Sequence, residues 1–210
     1  MALKIERVEV FGVAMPLKGT FTSGGISKDA TKCVVLRLTA SDGTVGISSA
    51  EPSAGTKSPG TAAELAVAIR DRIAPALIGQ DPANINRLIE LLDGLTPTQP
   101  GAGAAVEMAC VDLASRIQDV PLHTYLGGAM QANVLFNGWI GMLAPAEAAA
   151  EALRWLKAGF RSSKIKVGSG VAADHDRIEA VRAVVGSAMK RRLDANCEYD
   201  AETSLKLCRA

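Results

Sequence analysis

What this chain lacks narrows its nature before any motif is read. No apolar run reaches the roughly 18–20 residues that span a bilayer. The opening Met1-Ala2-Leu3-Lys4-Ile5-Glu6 alternates like a strand instead of forming a signal-peptide core. Neither a membrane span nor a secretory leader is expected, and a cytoplasmic location is. The four cysteines, Cys33, Cys110, Cys197 and Cys208, show no paired CxxC spacing, which disfavours a zinc ribbon or a redox motif. Reduced, structural thiols are expected instead. An excess of one charge is also missing: the net charge is +1, with Lys and Arg spread along the chain. No electrostatic footprint for nucleic acid or an anionic membrane is visible, so small-molecule partners are favoured.

The residues that are present, 48% hydrophobic and 21% charged, suit one soluble globular domain or two small ones. From Leu3 to Pro16 apolar and polar residues alternate, as in a half-buried strand. A second run, Cys33-Val34-Val35-Leu36-Arg37-Leu38, passes through Ser41-Asp42-Gly43 to Val45-Gly46-Ile47, and the Asp-Gly pair signals a hairpin. Between the first two runs, Lys18–Thr31 is rich in Gly, Ser and Thr and reads as a mobile, function-bearing loop. Helical periodicity follows over Thr61–Ile73, where Thr61 and Glu64 have capping-box spacing, then over Asn84–Leu92 and the alanine-rich Ala102–Ile117. Their apolar faces must pack on a sheet or a neighbouring domain. Strands followed by helices indicate an α+β unit, closed by a turn at Val120–Gly128.

Beyond Asn133 the texture becomes strand, helix, strand, helix, the rhythm of a parallel sheet or barrel. Val134–Ile140, Ser163–Val167 and Arg192–Ala195 read as strands; Pro145–Ala158, Asp174–Val185 and the residues from Ala201 onward read as helices. A closed eight-stranded barrel takes about 200 residues or more. The chain therefore reads as the N-terminal part of something larger.

Two pairs on these strands carry chemistry. Lys164-Ile165-Lys166 and Asp194-Ala195-Asn196 each place their outer members two residues apart, and alternation along a strand turns such residues to one side. Two lysines on one face of a buried strand are costly unless they line a polar site. Desolvation and like-charge repulsion both favour the neutral amine, the form that accepts a carbon-bound proton. The Asp194 carboxylate, one βα unit later, could bind Mg²⁺ with partners from later strands, a hard-oxygen site suited to holding a substrate carboxylate. Sites in parallel α/β folds gather at the carboxyl ends of strands, where both pairs lie.

KIKVG followed by RLDAN at this separation resembles the signature of the muconate-lactonizing subgroup of the enolase superfamily, within the mandelate racemase/muconate lactonizing enzyme family. GAGAAVEMACVDLASRIQDVPLHTYLGG resembles that family's domain-joining helix, and the opening strand resembles its capping domain. The resemblance implies an α+β capping domain with a linking helix at 1–128. It implies the first three βα units of a TIM-type barrel at 129–210, with the barrel incomplete in this chain. It further implies a Mg²⁺-dependent enzyme in which a lysine removes the proton next to a substrate carboxylate to give an enediolate. Racemization, epimerization, cycloisomerization and elimination all fit, and the polar lid tilts the substrate toward an amino-acid derivative. Carried over by position, Lys166 is the base, Lys164 tunes it and contacts the carboxylate, Asp194 is the first metal ligand, and Asn196 supports the lysines. The Lys18–Thr31 segment corresponds to the lid, with Phe21, Thr22 and Ser23 nearest the ligand. A homo-oligomer is implied for the full-length form. The family's other carboxylate ligands and its opposite-face lysine belong to strands after Ala210, so this chain alone is expected to be inactive. Ile47-Ser48-Ser49-Ala50-Glu51 departs from the family's usual aromatic-Gly-Glu ending of the capping hairpin.

Other residues carry less. Trp139 is a candidate to line a pocket with Asn137, although a strand aromatic more often belongs to a core. His123 and His175 read as surface or capping histidines, and a nucleophile's role is not expected for Cys197, because no base other than the lysines is suggested and the chemistry needs none. Two rival functions remain. Gly168-Ser169-Gly170-Val171-Ala172-Ala173 fits G-x-G-x-x-A after a strand, the outline of a dinucleotide site in an NAD(P)-dependent oxidoreductase. Against it, the charges of Lys164 and Lys166 interrupt what should be an apolar strand. The third possibility is a non-catalytic interaction subunit that uses the alanine-rich helices.

Overall fold

A computed structural model of the chain describes residues 3–23, 26–52 and 61–209, without the side chains of 22, 23 and 26. The residues group into two compact units, one comprising 1–17 and 30–132, the other 18–29 and 133–210.

β1 (Ile5–Ser23), β2 (Ile26–Ala40) and β3 (Val45–Ala50) form a sheet in that order, mostly within the first unit, with residues 18–29 of β1 and β2 grouping with the second. β2 and β3 are antiparallel, with Thr39 opposite Val45 and Val34 opposite Ala50. The Asp42-Gly43 signal does mark their connection: Gly43 takes φ +86°, and Ala40 N–H bonds the Thr44 carbonyl at 2.8 Å. Val34, Leu36 and Leu38, two residues apart, are all buried on one sheet face.

Helices cover that face. α1 (Ala62–Ala68) starts at the expected capping box: Thr61 Oγ1 accepts from Glu64 N–H at 3.2 Å, and Glu64 Oε2 accepts from Thr61 N–H at 2.6 Å. A π-helical turn, Ile69–Ile73, leads to α2 (Ala74–Leu77). Pro75 has no N–H for the Asp71 carbonyl, and Ala74 N–H reaches back five residues to Ile69 O. α3 (Ile85–Leu95) follows, and α4 (Pro100–Ile117) lies against β3. The contact is close because the residues are small: a Cβ on Gly46 would meet Leu113 Cβ at 2.5 Å and Ala109 O at 2.6 Å. Ser48 Oγ donates to Ala105 O at 2.6 Å, and Ile47 N–H donates to Asp112 Oδ2 at 2.8 Å. The turn expected at Val120–Gly128 contains the short α5 (Leu122–Tyr125).

In the second unit, β4 (Gly138–Ile140), β5 (Ser162–Lys166) and β6 (Lys190–Asp194) are parallel, in that order. α6 (Pro145–Lys157) and α7 (Val171–Val185) connect them, and α8 (Ala201–Arg209) follows β6. Ile140, Ile165, Val181, Val185, Ala148 and Ala152 form one apolar cluster, so the helices cover a single sheet face. Gly138 lets α6 approach: a Cβ there would meet Trp155 Cγ at 2.6 Å, and Trp155 Nε1 donates to Trp139 O at 2.8 Å.

Three expectations need correction. The described part of the Lys18–Thr31 segment is extended: β1 runs to Ser23 and β2 starts at Ile26. Its glycines and serines pointed to a loop, but Thr20, Phe21, Thr22 and Ile26 favour extended backbone. The strand expected over Val134–Ile140 covers only Gly138–Ile140, because β5 begins at Ser162 and leaves residues before 137 no partner there. The helix expected from Asp174 begins at Val171.

Candidate active site

The site residues lie on the sheet face opposite the helices. Register sets this: Ile140, Ile165 and Leu193 align across the three strands, with Ile140 and Ile165 in the apolar cluster and Leu193 packed against it. The rows to either side, Trp139–Lys164–Arg192 and Lys166–Asp194, therefore point the other way. This face carries one carboxylate among several cations, a field that favours an anionic ligand.

Lys164 and Lys166 converge on that carboxylate. Each Nζ lies 2.9 Å from Asp194 Oδ2. Lys166 also donates to Asn196 Oδ1, and Asn196 N–H donates to Asp194 Oδ1 at 3.1 Å. The two amines differ in exposure: the Lys166 side chain is 6% exposed and that of Lys164 is 32%. Hydrogen bonds from Lys166 and then Lys164 hold the Asp194 carboxyl well below the usual carboxylate range, so it is ionised at neutral pH. Asn196 and Cys197 both take left-handed backbone, at φ +48° and +69°. Asn tolerates that region and Cys pays strain for it, and such strain gathers at functional sites.

The aromatic pair is also brought together. Phe21, from the hairpin, stacks on Trp139 with ring centroids 5.5 Å apart and planes 19° apart, and Lys28 Nζ lies 5.5 Å from the Phe21 centroid. Trp139 sits beside Lys164 in register. Asn137 does not join this group: Arg192 Nη2 donates to its Oδ1 at 2.7 Å, toward the N-terminal ends of the strands. The side chains of Thr22 and Ser23 lie outside the described residues. A cavity of about 470 Å³ is lined by Val134, Leu135, Phe136, Phe160 and Lys190, at the strand ends away from the lysines.

Sequence reasoning missed a buried cluster behind the site. Asp174 and Arg177, one helical turn apart, pair at 2.5 Å inside the protein. Asp174 Oδ2 accepts the Gly168 N–H at 2.7 Å and the Ser169 N–H at 3.2 Å, and it accepts the Tyr199 hydroxyl as well. Tyr199 Oη in turn accepts the Gly170 N–H at 2.7 Å. Burial acts to raise the Asp174 pKa, but the bonds from Tyr199, Gly168 and Arg177 outweigh it and hold the carboxyl below its ordinary value. The i, i+3 acid–base spacing after GSG was the available signal. These bonds also weaken the dinucleotide reading: the amides of Gly168, Ser169 and Gly170, which a pyrophosphate would need, already serve a carboxylate and a phenol.

Among the described residues no group of three or more His, Cys, Asp or Glu could hold a metal ion. Asp194 supplies one hard oxygen ligand, whereas Mg²⁺ prefers about six oxygens, so the residues present fit part of a magnesium site.

Comparison with known proteins bears on the family and the fold. Residues 5–127 match the model of the mandelate racemase / muconate lactonizing enzyme, N-terminal domain, and residues 147–210 match the enolase C-terminal domain-like model. The chain belongs to the mandelate racemase/muconate lactonizing enzyme family of the enolase superfamily. It is 31% identical to a hydrophobic dipeptide epimerase of Enterococcus faecalis over 99% of this chain and 58% of that protein. It is 34% identical to an L-Ala-D/L-Glu epimerase of Bacillus subtilis over 92% of this chain and 53% of that one. The structure of the dipeptide epimerase from Enterococcus faecalis, complexed with Mg and the dipeptide L-Leu-L-Tyr, superposes with a TM-score of 0.89 at 30% identity, covering 100% of this chain and 58% of that one. The chain spans little more than half the length of these relatives. The family and the fold class, an α+β capping domain followed by the start of a TIM-type barrel, agree with the sequence reading.

Proposed function

We propose that the protein containing this chain removes the proton α to a substrate carboxylate, with Lys166 as the base. The observation that carries this reading is the sharing of Asp194 Oδ2 by Lys164 and Lys166 at 2.9 Å each, on the helix-free face of a parallel sheet. Lys166 is buried and doubly held, which fixes where its amine points. Lys164 is more open and suits contact with the substrate carboxylate. Asn196 restrains the Lys166 amine by accepting one of its hydrogen bonds. Phe21 and Trp139 form an aromatic wall beside Lys164, fit for the remainder of an amino-acid derivative such as a dipeptide. The epimerases of Enterococcus faecalis and Bacillus subtilis support that substrate class.

Asp194 would hold Mg²⁺ together with ligands this chain does not supply. When bound, the ion would neutralise charge developing on the substrate carboxylate. Residues 1–128 serve as the capping part and 129–210 as the opening of the barrel, and the working form is a homo-oligomer. The fate of the enediolate decides the outcome: protonation of its α-carbon on the opposite face gives racemization or epimerization, departure of a β-leaving group gives elimination, and a β-group that stays tethered makes the step a cycloisomerization. The 210 residues alone are inactive.

Lys166→Met in the active protein should lower exchange of the substrate α-proton with solvent deuterium by about 10²–10⁴-fold. Binding of the carboxylate should persist. Exchange retained at the parent rate would remove Lys166 as the base.

A further inference from the structure

The proposed chemistry makes no use of the buried Asp174–Arg177 pair, yet the pair touches the strand ends that carry it. The Asp174 side chain has no exposed surface and that of Arg177 is 6% exposed. Taking such charges out of water is costly, and packed apolar residues often serve stability as well, so stability alone does not account for them.

Their bonds have a common geometry. Arg177 Nε donates to the Leu143 carbonyl after β4 at 2.7 Å, Nη1 donates to the Lys166 carbonyl at 3.2 Å, and Nη2 donates to Ser169 Oγ at 3.1 Å. Asp174 takes the amides of Gly168 and Ser169, and Tyr199, in the segment after β6, closes the cluster onto Asp174 and Gly170. Val167 N–H bonds the Asp194 carbonyl at 3.1 Å. Lys166 is thereby held at its carbonyl by Arg177 and at its amine by Asp194 and Asn196.

We propose that Arg177, Asp174 and Tyr199 are positioning residues, a buried clamp that ties the carboxyl ends of β4, β5 and β6 together and aims the Lys166 amine. The proposal rests on the reading of Lys166 as the base. The clamp needs a planar fork of donors: a lysine at 177 keeps the charge opposite Asp174 but cannot serve three diverging acceptors.

Arg177→Lys and Tyr199→Phe test it. On the 210-residue chain, trace acetylation followed by peptide mass spectrometry reads the labelling of Lys166 relative to Lys164. That ratio should rise about threefold or more in both variants as the strand end opens locally. In the active protein, kcat for α-proton exchange should fall about 100-fold in Arg177→Lys and about 10-fold in Tyr199→Phe, with KM within about twofold of the parent. Tyr199→Phe removes a single oxygen and keeps the test decisive if Arg177→Lys does not fold. An unchanged labelling ratio, or a loss of activity carried by KM or by the unfolded fraction, would overturn the clamp. A parent protein that shows no exchange at all defeats the proposed function, and the labelling ratio still decides the clamp.

Discussion

The two units use their sheets in opposite ways. In the first, Val34, Leu36 and Leu38 face a helical layer whose contact with β3 is so close that Gly46 has no room for a methyl group. In the second, helices cover Ile140 and Ile165, while the other face of the same three strands carries Trp139, Lys164, Lys166, Arg192 and Asp194. The first unit gains its order from shape, which tolerates no added volume. The second has one such close fit, at Gly138, and adds to it a buried set of paired charges and hydrogen bonds on and behind the strand ends.

Reporters for the contrast are built in. Both tryptophans, Trp139 and Trp155, belong to the second unit, and the buried thiols, Cys33 and Cys110, belong to the first. Burial, and then the charge of Glu107, pushes the Cys110 thiol up to about 12, so it reacts only when its unit opens.

The largest effect on stability should come from Gly46→Leu, which drives a side chain into Leu113 and the Ala109 carbonyl. A loss of about 3 kcal/mol is expected, read in urea by labelling of Cys33 and Cys110, and a variant as stable as the parent would break the shape argument. Gly138→Ala puts a methyl group 2.6 Å from Trp155 Cγ and should cost about 2 kcal/mol, seen in tryptophan fluorescence.

Acid should separate the units next. Asp194 and Asp174 both have lower pKa values folded than unfolded. The stability they give is whole above the unfolded Asp value of about 3.9 and is lost as pH falls through the folded values. In the first unit the lowered carboxyls, Glu9, Asp42 and Asp71, are surface groups whose bonds contribute little. Below about pH 4 tryptophan emission should shift before Cys33 and Cys110 become reactive toward a pyridyl disulfide, and the reverse order would contradict the comparison. The smallest effect is a gain: Cys197→Gly should relieve a left-handed backbone and raise stability by about 0.5–1 kcal/mol.

The parts legible in the sequence were those set by local period. Two-residue spacing placed Lys164 with Lys166 and Asp194 with Asn196, and the structure joins all four. The Thr61–Glu64 capping box and the Asp42-Gly43 hairpin were equally local. The rest depended on partners distant in the chain. Tyr199 meets Asp174 from 25 residues away, and no periodicity announces a bond of that kind. Phe21 was placed near the ligand from family resemblance, but its stacking on Trp139 depends on a hairpin that residue composition disguised as a loop. Asn137 shares the parity of Trp139 but bonds Arg192, because parity fixes the side of a sheet and leaves the depth along it open.

The fit of α4 on Gly46 also limits what α4 can be made of. Where a helix rides within a methyl group's thickness of a strand, the usable alphabet on its inner face shrinks to Gly, Ala, Ser and Cys, with Leu113 admitted where β3 offers only the hydrogen of Gly46. A side chain enlarged on that face has to displace the strand, the helix or both.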